Sequence, residues 1–117
     1  MVTLVFLAKR RTGMDPRDFH QHWRDHHGPL VARLLGHHLV SYQQLHRHAA
    51  LAGDGAHGDG YDGAAILRFR SMDDFHAFLA DPAYTDEVGP DEETFIDRDA
   101  SAMVFCDDPV TFVGEGS

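Results

Sequence analysis

Two apolar runs near opposite ends of the chain, Val2 to Lys9 and Ala102 to Cys106, carry hydrophobic side chains on both faces of the strands they would form. Val2, Leu4 and Phe6 alternate with Val5 and Leu7; Val104 and Cys106 alternate with Met103 and Phe105. A sheet with one face in water alternates apolar and polar residues, so these strands need cover on both sides. The 117 residues suffice for one modest core, which makes residues 1–117 a single domain.

Between those runs the pattern reads helix, strand, strand, helix. Asp15 is an N-cap ahead of Pro16, and the first helix runs to about Leu35, where Gly36 ends it. Leu39 to His46 is the second strand. The Gly-rich stretch from His48 to Gly60 is expected to be a mobile loop, and Tyr61 to Arg70 is the third strand. Ser71-Met72-Asp73-Asp74 opens a helix presenting Phe75, Phe78 and Leu79, and Asp81-Pro82 ends it. Glu92 to Asp97 suits one more short helix before the last strand. The order βαββαβ is that of the ferredoxin-like α+β fold, with both helices on one face of a four-stranded antiparallel sheet. The outer strands of that series are the ones apolar on both faces, and no helix is left over to cover the second face. A second copy of the chain is the expected cover, in a symmetric homodimer. The gap between each sheet and its own helices then offers room for a small-molecule substrate.

Charge and motif content remove several function classes. The net charge of −9, from 19 acidic and 10 basic residues, opposes a nucleic-acid partner, which needs a basic stripe. No apolar run is long enough for a membrane span. The charges of Lys9 and Arg10 follow the first apolar run, the reverse of a secretory signal, and the single Cys106 excludes an internal disulfide, so a cytoplasmic location is expected. Gly53-x-Gly55-x-x-Gly58 follows a polar strand and opens no helix, which makes a dinucleotide site a poor fit. No cofactor is expected.

The first helix holds the main candidate for chemistry. Phe19, Trp23, His27, Leu30 and Leu34 fall within one arc of roughly 80° at about 100° per residue, so an imidazole sits inside a core-facing stripe. Gly28-Pro29 is expected to interrupt the helix there. His27 then reads either as a core histidine with one satisfied hydrogen bond or as a proton-transfer group. On the second strand Tyr42, Gln44 and His46 share a face. Should that face turn away from the helices, a phenol, an amide and an imidazole line the cavity, with Ile66 and Arg68 beside them and Ala65, Leu67 and Phe69 packed on the helices. The other reading is an edge strand made polar against aggregation. His22-x-x-x-His26 has the spacing of a metal-ligand pair, but spacing fixes no third ligand, and no metal is assigned.

Phe19-x-x-x-Trp23-x-x-x-His27-Gly28-Pro29-Leu30-Val31 resembles the signature of the EthD family. Lys9-Arg10-Arg11-Thr12-Gly13-Met14, Tyr42-x-Gln44-x-His46, Asp62-Gly63 and Asp91-Glu92-x-x-Phe95-x-Asp97 are similar to further parts of the family pattern in the same order. The resemblance implies a dimeric α+β barrel. It also implies chemistry like that of relatives identified as cofactor-free dehydratases or decarboxylases of aromatic polyketide pathways. By position it gives His27, Tyr42 and His46 as catalytic residues. Trp23, Gln44, Ile66 and Arg68 then bind substrate. The chain departs from the family at the third strand, where many members carry an acidic residue and a Trp in place of Ile66 and Arg68.

These parts suit general acid–base catalysis without a cofactor, of dehydratase, cyclase or isomerase type, on a small aromatic or polyketide-like compound. Two other readings stay open: a non-catalytic small-molecule-binding or accessory protein, and a cofactor-free monooxygenase-like oxidoreductase.

Overall fold

In the computed structural model, which describes residues 1–48 and 60–114, β1 (Val2–Ala8) pairs antiparallel with both β3 (Gly63–Phe69) and β4 (Ala102–Cys106). On its other edge β3 pairs with β2 (Ser41–His46), so the sheet order is β2-β3-β1-β4. The expected ferredoxin-like sheet is present. Of the two strands apolar on both faces, β4 lies at an edge and β1 is central, which is where two-sided burial is strongest. Most of the Gly-rich stretch between His48 and Gly60, including Gly53-x-Gly55-x-x-Gly58, lies outside the described residues.

The first helix starts as the sequence suggests. Asp15 accepts a hydrogen bond from the Arg17 backbone N–H at 2.8 Å, and Pro16 opens α1 (Pro16–His22). The expected break at Gly28-Pro29 does not occur. Gly28 has helical dihedrals (φ −57°, ψ −51°), and α2 (Gly28–Leu35) continues from it. What changes is the turn before: Trp23–His27 is a π-turn, closed by the Gly28 N–H on the Trp23 carbonyl. A proline inside an α-helix clashes with the carbonyl four residues back and donates no hydrogen bond. The wider turn moves that carbonyl aside, so Pro29 begins a fresh helical segment where its missing N–H costs little.

The second half repeats the device. Ser71 caps α3 (Met72–Ala80), accepting from the Asp74 N–H at 3.3 Å. A second π-turn, Tyr84–Val88, follows and is closed by the Gly89 N–H on the Tyr84 carbonyl. Gly89-Pro90 then opens α4 (Gly89–Phe95), which begins before the helix expected from Glu92. Trp23-x-Asp25-x-x-Gly28-Pro29 and Tyr84-x-Asp86-x-x-Gly89-Pro90 are the same pattern, one in each half.

The helices cover one face of the sheet. Leu4, Ala65, Leu67 and Phe69 meet Phe19, Trp23, Val31, Leu35, Phe75, Phe78 and Phe95 in a single core. Arg10 and Asp62 tie the start of β3 to the end of β1. The Asp62 carboxylate, almost fully buried, accepts from the Arg10 guanidinium at 2.7 Å and the Arg10 backbone N–H at 2.8 Å. The opposite face carries Val5, Leu7, Ile66 and Val104, and among the described residues no helix packs against it. Among the described residues no helix is long and apolar enough to cross a membrane.

Candidate active site

A cavity of about 310 Å³ lies between the sheet and the helices, lined by Leu4, Trp23, His27, Tyr42, Leu67 and Glu92 among others. The two π-turns set the positions of the polar groups at it. His27, the last residue of the first π-turn, is buried against the edge of the Phe95 ring. Asp91 and Glu92 stand in the first turn of α4, just after the second.

His27 Nδ1 is 2.8 Å from Asp91 Oδ2. An ionised carboxylate only accepts, so Nδ1 carries the hydrogen. In the neutral ring Nε2 is then a free acceptor, and it faces Glu92 Oε2 at 3.9 Å. Burial pushes the His27 pKa below its ordinary value, and the hydrogen bond to Asp91 pulls it back. Glu92 moves the other way: burial raises its carboxyl pKa, while Tyr84 and Arg98 oppose the rise. The Tyr84 hydroxyl donates to Oε1 at 2.8 Å, and Arg98 Nη2 donates to the same oxygen at 3.0 Å and to the Gly89 carbonyl at 2.6 Å. One oxygen of Glu92 is thus fully engaged, and the other is left toward His27.

Trp23, His27 and Tyr42 all line the cavity. Gln44 does not line it, but builds it from behind: its amide donates to the Trp23 carbonyl at 2.8 Å and to the Tyr42 hydroxyl at 3.1 Å. Tyr42 therefore keeps its own hydrogen to donate. Its phenol pKa is raised by burial, with the Gln44 bond opposing. His46 lies one step further out. Its Nε2 is 2.8 Å from Gln44 Oε1, its Nδ1 is 2.7 Å from His20 Nδ1, and its ring sits 4.6 Å from that of Trp23. It supports Gln44 and Trp23 and does not reach the cavity lining.

Ile66 and Arg68 are on the other face. The pairing sets Tyr42 opposite Leu67 and Gln44 opposite Ala65, while Gln43 faces Ile66 and Ser41 faces Arg68. The expectation that Tyr42, Gln44 and His46 share the helix-free face with Arg68 is therefore corrected. They lie on the helix-covered face with Ala65 and Leu67. β2 is polar at both sets of alternate positions, so the sequence separates two faces without saying which one turns inward.

Two glycines let this wall close up. A Cβ on Gly28 would sit 2.8 Å from Gln44 Nε2, and one on Gly63 would sit 2.8 Å from the Trp23 ring and run into the Leu45 carbonyl. The indole consequently packs close against Gly63 of β3. Sequence reasoning missed Asp91, Glu92, Tyr84 and Arg98 as site residues. The acidic run Asp91-Glu92 is visible in the sequence, but only the fold carries it to His27. As a unit, these groups offer a base held in one tautomer, an acid with a raised pKa, and a phenol donor in an apolar chamber. On the outer side of Asp91, His22 and His26 add two imidazoles of the kind that hold a transition metal.

The chain matches the EthD domain over residues 11–112. It is 26% identical to the conidial pigment biosynthesis dehydratase EthD of Metarhizium robertsii, over 88% of this chain and 79% of that protein. It is 28% identical to the dehydratase ustZ of Ustilaginoidea virens, over 89% of this chain and 81% of that one. Among solved structures, an EthD family protein of Bacillus halodurans superposes with a TM-score of 0.69 at 15% identity, covering 93% of this chain and 99% of its own. A dimeric ferredoxin-like protein of unknown function from Bacteroides fragilis superposes with a TM-score of 0.62 at 15% identity, covering 90% and 93%.

Proposed function

The chain belongs to the EthD family, and on that premise we propose that it is a cofactor-independent dehydratase of secondary metabolism, removing water from a hydroxylated aromatic or polyketide-like compound. The observation that carries this reading is the buried His27, held by Asp91 with Nε2 free inside an apolar cavity. Both curated relatives are named as dehydratases, which supports the reaction class.

In this reading His27 Nε2 takes a proton from the carbon next to a substrate carbonyl. The C–H electron pair becomes the new C=C, and the Tyr42 hydroxyl donates to the enolate oxygen that forms on the way. Hydroxide leaves from the neighbouring carbon with the proton of the Glu92 carboxyl and departs as water. The imidazolium then returns its proton to Glu92 across the 3.9 Å that separates them. Trp23, Leu4 and Leu67 exclude water and hold the flat substrate.

The working unit in this proposal is a homodimer formed through the open sheet face. That face presents Val5, Leu7, Ile66 and Val104, and the Bacteroides fragilis protein of the same fold is described as dimeric. Ile66 and Arg68, expected as substrate contacts, instead belong to this dimer face. The test is turnover of a β-hydroxy ketone on an aromatic scaffold, followed by the absorbance of the conjugated product. His27→Gln is expected to cut turnover by at least ~10²-fold with folding intact. Wild-type turnover by folded His27→Gln would remove His27 from the mechanism.

A further inference from the structure

We infer that His22, His26 and Asp91 form a binding site for a divalent transition metal of the zinc class, on the side of Asp91 opposite His27. His22 ends α1, and His26 follows four residues later in the π-turn, so both imidazoles leave the same side of the helix with ring centroids 4.8 Å apart. The carboxylate comes from α4. His22 Nε2 lies 2.9 Å from Asp91 Oδ1 and His26 Nε2 lies 3.5 Å from it, and the ligand atoms of all three residues fall within 4.8 Å of one another. Zinc takes imidazole nitrogen at about 2.0–2.1 Å and carboxylate oxygen at about 2.0–2.2 Å in a tetrahedron, which separates its ligand atoms by roughly 3.4 Å. A slight opening of the His22–Asp91 contact admits the ion. His22 and His26 also line a surface cleft with Asp18 and Asp25, which gives access to solvent and adds negative charge. Two imidazoles and one carboxylate favour zinc, nickel or cobalt over magnesium, which prefers an all-oxygen shell.

The ligand set and the dyad share one carboxylate. Asp91 Oδ2 holds His27 and also lies 3.1 Å from His22 Nε2, while Oδ1 lies toward His22 and His26. A metal bound there stays outside the cavity, yet it draws on the group that positions the base. That consequence rests on the dehydratase reading; the binding itself does not.

The test is calorimetric titration of the metal-free full chain with zinc chloride, and in parallel with magnesium chloride. The His37, His38 and Asp81 cluster is a second group of similar composition, so the titration is run with His37→Gln and His38→Gln in place. One zinc ion per chain is expected, with no heat from magnesium. Adding His22→Gln or His26→Gln should weaken zinc binding at least about tenfold. Zinc affinity unchanged by both substitutions would overturn the site. Where turnover is measurable, zinc at a concentration that loads the wild type but not His26→Gln should change kcat of the wild type and leave kcat of that variant unaltered; bound zinc with kcat of the wild type unchanged would overturn the coupling to His27. Because binding is read without turnover, failure of the dehydratase reading and failure of the metal site give different results.

Discussion

His27 owes its properties to residues far from it in sequence. Phe95 packs on its ring and Asp91 fixes its tautomer, both from α4. Asp91→Asn keeps the shape and removes the charge that steadies the imidazolium, so kcat is expected to fall by ~10²- to 10⁴-fold with little change in KM or melting temperature, measured on the same substrate. Burial keeps the ring neutral, so the acid limb of kcat/KM should have its midpoint below the ordinary histidine value of 6.5; a midpoint above it would contradict the burial argument. Stability follows the same groups. His20, His27 and His46 all have lowered pKa values, chiefly through burial. Below about pH 6.5 the unfolded chain therefore binds more protons than the folded one. The stability these rings contribute is complete above 6.5 and is lost as pH falls through their folded values. Glu92, raised from its ordinary 4.5, acts in the opposite sense, one group against three. The melting temperature is expected to drop from about pH 7 to about pH 5, and His46→Gln should shrink the drop, because the His20–His46 contact cannot hold a proton on both facing nitrogens. The apolar stripe of Phe19, Trp23 and His27 was legible in the sequence through its helical spacing. Asp91 and Glu92 as partners were not, because no local pattern reports a contact made between two halves of a fold.

At the level of elements, the two π-turns decide where side chains point. Gly-Pro reads as a stop in a sequence, and the chain instead widens one turn and continues. The stop rule failed because it weighs the proline clash against a regular α-helix and not against a helix that yields by one residue. The glycines of this wall should differ in cost. The obstacle at Gly28 is the end of a flexible side chain, so Gly28→Ala is expected to cost no more than about 1 kcal/mol, offset by its better helix propensity. The obstacles at Gly63 are a backbone carbonyl and a packed indole, so Gly63→Ala is expected to cost about 3 kcal/mol or more. Urea midpoints of the two variants check the order, and equal midpoints would count against it. Strand positions were legible to within a residue or two. The inward face of β2 was not, since only its register with Leu67 and Ala65 fixes it.

For the whole molecule, the open sheet face makes a clear prediction. Ile66 sits between Gln43 of β2 and Val5 of β1, on the face that lacks helices. Ile66→Glu is expected to convert a two-chain species into a single chain in sedimentation at micromolar concentration. A wild type that sediments as a single chain would refute the assembly. The two-sided apolar pattern of β1 and β4 was the part of this arrangement that the sequence displayed, since apolar residues at both sets of alternate positions leave no polar alternation to hide it. The sheet order has a further consequence, which concerns descent. The halves carry the same aromatic-x-Asp-x-x-Gly-Pro pattern, as two copies of one ancestral unit would. Yet β1 and β2 of the first half are separated by β3, and β3 and β4 of the second by β1. Neither half can form its own sheet, and each supplies one partner of the His27–Asp91 pair. Two gene fragments encoding residues 1–48 and 49–117 should therefore yield inactive chains singly and recover turnover when expressed together, interlocked as a pair of hands is.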